Sequence, residues 1–347
     1  MLNVPGAIIN SSAPIRICDN GGWTDTWFAG HGEVFNVAVA PLAEVRIALL
    51  PAREGVPRVV LHPENLGEPY EVRHDTAPWG PHPLLEAAIA SMNVPSDLRL
   101  HISVRSEVPA GAGTGTSAAV TVALLGALDE LTPGRMAPHE VAMAAQRVET
   151  ERLGRQCGIQ DQIAAAHGGI NHIEISAYPE ARVSPLNLAP ALAQEFERRL
   201  LLIYLGRSHD SSALHQSVIR SLENAGPDSP SIVELRNTAA RSRDALLAGD
   251  FTALGQAMIE NTGAQARLHS AIVGVDARQV IDLARRAGAL GWKVNGAGGE
   301  GGSLTLLCGE KPEDRLILLR EIEQASSAFR AIPIRLSRHG LRVWRAA

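Results

Sequence analysis

The chain has 347 residues, 45% of them hydrophobic, and a formal net charge of −5. That length allows two domains or one large one with a real core, and dispersed mild acidity without a basic tail or stripe argues against a nucleic-acid partner. No apolar run approaches a membrane span, MLNVPGAIINSSAPIR has no charged segment ahead of an apolar block, and Cys18, Cys157 and Cys308 are odd in number and far apart, so no membrane anchor, signal peptide, disulfide frame or zinc site is expected, and reduced thiols suit a cytoplasmic setting.

Residues 13–25 read APIRICDNGGWTD. Positions 13–18 pattern as a strand, Gly21 and Gly22 force a sharp turn after Asn20, and Trp23, Thr24 and Asp25 follow. Beyond such a turn Asp25 can accept sugar hydroxyls, with Trp23 against a sugar face, or it can simply cap its own backbone. Strands are expected over 34–51 and 58–62, a short helix over 84–92, and a strand over 98–104, where LRLHISV alternates apolar and polar.

That strand leads into PAGAGTGTSAA at 109–119, followed by an Ala/Leu-rich helix over 118–128. Gly111, Gly113 and Gly115 strip the backbone of Cβ atoms as it turns, and Thr116 and Ser117 fall in the first helical turn. A helix start carries unpaired N–H groups and the positive dipole end, which suits a phosphate. A capped strand–helix turn is the plainer reading, but three alternating glycines exceed what a cap needs. The common P-loop is excluded, because it requires a lysine at the helix start and this chain has lysine only at Lys293 and Lys311. The cation must come from an arginine or a metal.

Residues 137–153 read as a helix with Glu149 near its end; Gly158 breaks the chain, and 160–167 resumes as helix with Asp161 in its first turn. An acid there can serve merely to offset the helix dipole. After a strand over 200–205, His209, Asp210 and His215 fit no usual metal-ligand spacing and read as N-cap residues. Helices follow over 210–224, 230–248, 251–266 and 275–288. In GAGGEGG at 296–302, Gly296, Gly298 and Gly301 satisfy G-x-G-x-x-G, but the β-like SLTLLC at 303–308 stands where a dinucleotide fold needs a helix, so nicotinamide binding is rejected. A helix over 315–325 and strands over 331–336 and 341–344 close the chain.

The segments at 13–25, 109–119 and 296–302 resemble, in order and separation, the three motifs of the GHMP kinases, the superfamily of galactokinase, homoserine kinase, mevalonate kinase and phosphomevalonate kinase. The resemblance spans Ala13 to Gly302. It implies an α/β (α+β) two-lobed fold, with an N-terminal βα domain of unusual left-handed crossover over 1–198 and a C-terminal ferredoxin-like domain over 199–347, the site lying between them. It implies ATP and Mg2+, with Pro109, Gly111, Ala112, Gly113, Gly115, Thr116 and Ser117 around the nucleotide phosphates. It further implies that Asp161 accepts or orients the acceptor proton, and that Arg16 steadies Asp161 or the transferring phosphoryl. Gly22, Trp23, Asp25, Gly298 and Gly299 would face the acceptor, while Thr116 and Glu149, in preference to Glu151, would hold the metal. Glu300 departs from the pattern by standing where the third motif has glycine, and is expected to point outward or toward substrate hydroxyls.

Within the superfamily, GGWTDT, GTSAA, QDQ-x-x-A-A-x-GG-x-N and YLGRS look most like D-glycero-D-manno-heptose 7-phosphate kinases, which phosphorylate an anomeric hydroxyl. GGWTD is also similar to fucose-type sugar 1-kinases, and no compact basic motif marks a site for a distal phosphate. A 1-kinase for fucose, arabinose or a uronic acid is therefore the alternative. A non-catalytic sugar sensor is the reading from another class; joint retention of Arg16, Asp25, Glu149 and Asp161 counts against it. A small-molecule sugar and ATP are the implied partners, nucleic acid and membrane are not, and the resemblance allows a homodimer.

Overall fold

The structure is a computed structural model and describes residues 5–73, 76–109, 111–206, 212–222 and 226–346, without the side chains of 212–215 and 221. Its spine is two long strands, β1 (Ile8–Asn20) and β2 (Gly32–Pro51), paired antiparallel over most of their length. The expected strands over 34–51 are one continuous strand, and its two halves do different work. After β3 (Val59–Pro63), β4 (Tyr70–Glu71) and α1 (Pro83–Ala90), strand β5 (Leu98–Ser106) pairs with the second half of β2 and lies parallel to β3. Helix α2 (Thr116–Asp129) follows, buried on almost every face as its Ala/Leu composition demands.

Helix α3 (Pro138–Arg147) is shorter than the 137–153 expected, because a single π-helical turn, Val148–Arg152, takes over its end. Then come α4 (Gln160–His167), β6 (Ile170–Ala177), β7 (Glu180–Pro185) and α5 (Pro190–Arg199). Strand β6 pairs with the first half of β2 and with β7.

The remaining chain builds a second sheet from β8 (Leu200–Tyr204), then α6 (Ser212–Leu222), α7 (Pro230–Leu247), α8 (Phe251–Leu268), α9 (Val275–Arg286), β9 (Gly291–Val294), β10 (Ser303–Leu307), α10 (Pro312–Ala325) and β11 (Arg330–Ile332). Its strand order is β11-β8-β10-β9, all antiparallel, with helices between β8 and β9 and between β10 and β11. That is the ferredoxin-like β-α-β-β-α-β arrangement. The chain then returns: β12 (Arg335–Leu336) pairs with β2, and β13 (Arg342–Ala346) pairs with the free edge of β1. No helix among the described residues is long and apolar enough to cross a membrane.

Two apolar cores result, one under the larger sheet and one under the smaller. Trp23, from the turn after β1, belongs to the second core and so pins the first sheet's turn against the second unit.

Candidate functional site

A cleft of 830 Å³ lies where both sheets meet, lined by the turn after β1, residues 111–118, the π turn, the start of α4 and the loop after β9. The glycine loop is where sequence places it, and its glycines have steric reasons. Gly111, Gly113 and Gly115 have φ of 74°, 73° and 69°, a region that side chains avoid. A Cβ on Gly113 would come within 2.8 Å of the Asn295 carbonyl, and one on Gly115 within 3.2 Å of the Asp161 carboxyl. Backbone contact thus brings the loop against β1 and the 295–302 segment, with Arg16 N–H donating to Thr114 O at 2.9 Å and Ser303 Oγ to Ala112 O at 2.7 Å. The α2 N-terminus opens into the cleft, a positive end ready for phosphate.

Arg16 and Asp161 meet beneath that helix start. Arg16 Nε donates to Asp161 Oδ1 at 2.8 Å and its second terminal nitrogen to Oδ2 at 3.2 Å, while the first bonds Gly113 O. The Arg16 side chain is 5% exposed and that of Asp161 29%, so the arginine is fixed and the carboxylate faces the open cleft. Burial works against the guanidinium charge, yet Asp161, Asp19 and Asp25 together hold its pKa above the ordinary value. Such a forked pair fixes carboxylate orientation as well as charge.

Glu149 sits in the π turn, where one extra residue re-aims the side chains. Burial pushes its carboxyl up to about 7, although Gln162 Nε2 donates to it at 2.9 Å. Thr116, at the cleft, shares a hydrogen bond with Thr114 at 3.2 Å. Among the described residues no cluster of three or more acids, histidines or cysteines forms a ready-made metal cage. Magnesium keeps several waters and needs only one or two protein ligands; a largely desolvated carboxylate and a hydroxyl lining the same cleft as the glycine loop fit that ion.

Asp25 is buried, and its Oδ2 accepts the backbone N–H groups of Ile159 and Gln160, each at 3.0 Å. It caps a backbone, as the plainer reading had it: its own N–H contributes, and the N–H groups at the start of α4 are added to it. Trp23 reaches the cleft lining while packing into the second core. Gly298 lines the cleft, whereas Pro109, Gly22 and Gly299 do not. Gly22 lies against Asp19, where a Cβ would approach Oδ2 to 3.0 Å, and Gly299 N–H bonds Ile272 O at 2.9 Å. Both serve the packing of the loops. Glu300 is exposed and outside the lining. His209 and Asp210, and the side chain of His215, lie outside the described residues.

Sequence reasoning missed Asp19 and Lys293. A bulge in β1 between Ile17 and Asn20, with Cys18 at φ 58°, turns Asp19 into the cleft. Its Oδ1 accepts from Lys293 Nζ at 3.0 Å, and its Oδ2 from Gly296 N–H at 3.0 Å and Gln160 Nε2 at 3.4 Å. Burial raises the Asp19 pKa, but Lys293 and Arg16 outweigh it and keep the carboxyl ionised. One of only two lysines in a chain with 32 basic residues was a signal in itself.

Comparison with known proteins bears on the family and the fold. Residues 84–169 match the model of the GHMP kinases N terminal domain. A mevalonate kinase of Thermococcus sibiricus is 31% identical over 254 residues, covering 70% of this chain and 68% of that protein. A bifunctional fucokinase/GDP-fucose pyrophosphorylase of Arabidopsis thaliana is 27% identical over 84% of this chain, which spans only 29% of that longer protein. A D-glycero-alpha-D-manno-heptose 7-phosphate kinase of Campylobacter jejuni is 26% identical over 59% of this chain and 60% of its own length. The crystal structure of a D-glycero-D-manno-heptose 1-phosphate kinase from Bacteroides thetaiotaomicron superposes with a TM-score of 0.73, covering 97% and 98% of the two chains at 21% identity, a likeness of fold. The chain belongs to the GHMP kinases, a family of phosphotransferases.

Proposed function

We propose that the chain transfers the γ-phosphoryl group of ATP to the anomeric hydroxyl of a sugar, with D-glycero-D-manno-heptose 7-phosphate as the first acceptor to test. The observation that carries this reading is the Arg16–Asp161 pair, held in the open cleft directly under the glycine loop and the α2 N-terminus. Phosphoryl transfer depends on positioning and on neutralising charge more than on covalent chemistry by the protein. In this reading 111–117 hold the phosphates, Asp161 takes or orients the acceptor proton, and Arg16 fixes Asp161. Glu149 and Thr116 would hold a hydrated Mg2+, which when bound neutralises phosphate charge. We also propose a division near residue 198, with 335–346 grouped by their pairing with the first unit.

A second reading, an unphosphorylated fucose, arabinose or uronic acid as acceptor, draws support from charge. The described cleft lining carries four carboxylates, Asp19, Asp25, Glu149 and Asp161, against two guanidiniums, Arg16 and Arg155. Among the described lining residues, a second phosphate on the acceptor would meet little cationic help beyond Arg155. ADP release measured over a panel of sugars and sugar 7-phosphates, with the product read by phosphorus NMR, decides between the two. Turnover of an acceptor to a 1-phosphate supports the proposal; ADP release independent of every sugar, or none at all, removes it.

A further inference from the structure

We propose that Asp25 is a positioning residue for Asp161: its carboxylate is the N-cap of α4, delivered from 134 residues away in the chain. The inference rests on the reading of Asp161 given above. The residue at the α4 cap position is Ile159, whose side chain can accept no hydrogen bond. The first N–H groups of a helix need an acceptor, and in most helices a Ser, Thr, Asp or Asn at the cap supplies it. Here one oxygen of Asp25 takes both the Ile159 and the Gln160 N–H, and Asp161 is the next residue along.

Three features show the contact to be built in. The turn bearing Asp25 is locked by Thr24 Oγ1 to Gly21 O at 2.7 Å, Thr26 Oγ1 to Trp23 O at 2.7 Å, and Gly21 N–H to Asn261 Oδ1 at 2.7 Å. Gly158 has no left-handed φ that would demand glycine, yet a Cβ there would sit 2.0 Å from Asp25 Oδ2. The missing side chain makes room for the carboxylate. Gln160 is tied as well, its amide reaching Asp19 and Asn36. The first turn of α4 is thereby fixed to the β1 turn, and Asp161 inherits its aim at Arg16 from that anchoring.

The test uses the full chain with Asp25→Ala, Asp25→Asn, Gly158→Ala and the Asp25→Ala/Gly158→Ala double variant. Amide hydrogen exchange at Ile159 and Gln160 is followed without substrates, and kcat and KM with ATP and the best acceptor of the panel. Asp25→Ala and Gly158→Ala should each speed exchange at these two amides and lower kcat about 10- to 100-fold, with acceptor KM within about twofold. Asp25→Asn, whose amide oxygen can still cap, should retain protection and most of the activity. The double variant should be no worse than Asp25→Ala alone, since the collision partner is gone. Unchanged exchange in Asp25→Ala, a rise confined to acceptor KM, or an additive loss in the double variant would overturn the proposal. The exchange measurement stands even if no panel sugar is turned over, so failure of the functional reading is told apart from failure of the cap.

Discussion

Burial pushes the Asp25 carboxyl up to about 6, from an ordinary 3.8, because two backbone donors offset only part of its lost hydration, with Asp161 and Asp19 adding repulsion. Between those two values the unfolded chain releases this proton while the folded protein keeps it. The contribution of Asp25 to stability therefore declines as pH rises from about 4 to about 6 and is constant above. The urea-unfolding free energy of the wild type minus that of Asp25→Asn should fall across that window by about 3 kcal/mol. A difference that is flat or rises with pH contradicts this. Glu149 makes a different prediction. Glu149→Gln keeps an oxygen for the Gln162 amide but loses the charge, so the Mg2+ needed for half-maximal activity should rise roughly tenfold or more. An unchanged Mg2+ titration would make Glu149 structural and move attention to Glu151. At this scale the resemblance to the family motifs pointed to Arg16, Glu149 and Asp161, and the structure brings all three to the cleft. The sequence was silent on Asp19 and on what Asp25 touches, because a carboxylate's partner across 134 residues leaves no local periodicity.

The glycine loop is an element whose shape is set by contacts on both sides. Gly113 combines φ 73° with the Asn295 carbonyl 2.8 Å from any Cβ, so Gly113→Ala should destabilise the fold by about 1–3 kcal/mol and weaken ATP binding. Gly134→Ala, where no neighbour lies within 4 Å, is the control and should stay within about 0.5 kcal/mol. Equal effects at both positions, by thermal melting and ATP titration, would remove the steric argument. β5 and α2 were legible because one alternates and the other is uniformly apolar with a glycine start. The π turn was not, since a change from i−4 to i−5 bonding has no side-chain signature in VETER. β7 pairs only with β6 and mixes charged and apolar residues, and α5 buries only Phe196, so neither shows a clear period.

At the scale of the whole molecule, the two sheets are joined through the cleft by the Lys293–Asp19 pair, 274 residues apart and almost wholly buried. Lys293→Met removes the hydrogen-bonded cation of the Asp19 carboxylate, leaving Arg16 as its remaining positive neighbour, and should destabilise by about 3–5 kcal/mol, while Asp19→Asn/Lys293→Met should recover a good part of that. A double variant as unstable as the single one would show that packing, not charge, holds this junction. The motifs made the family readable at a distance, because three glycine-bearing loops far apart in the chain must converge on one cleft. The return of β12 and β13 to the first sheet was not readable, as short edge pairings are chosen by what remains unpaired after the rest has folded. In the proposed function Asp161, aimed by Arg16, acts on the acceptor and not on the nucleotide. Wild type and Asp161→Asn, compared for acceptor-dependent ADP release and for ATP affinity without acceptor, give the test. The variant should show a kcat lower by about 10²- to 10⁴-fold with ATP affinity within about threefold; wild-type turnover, or a loss of ATP affinity matching the loss of rate, would rule this role out.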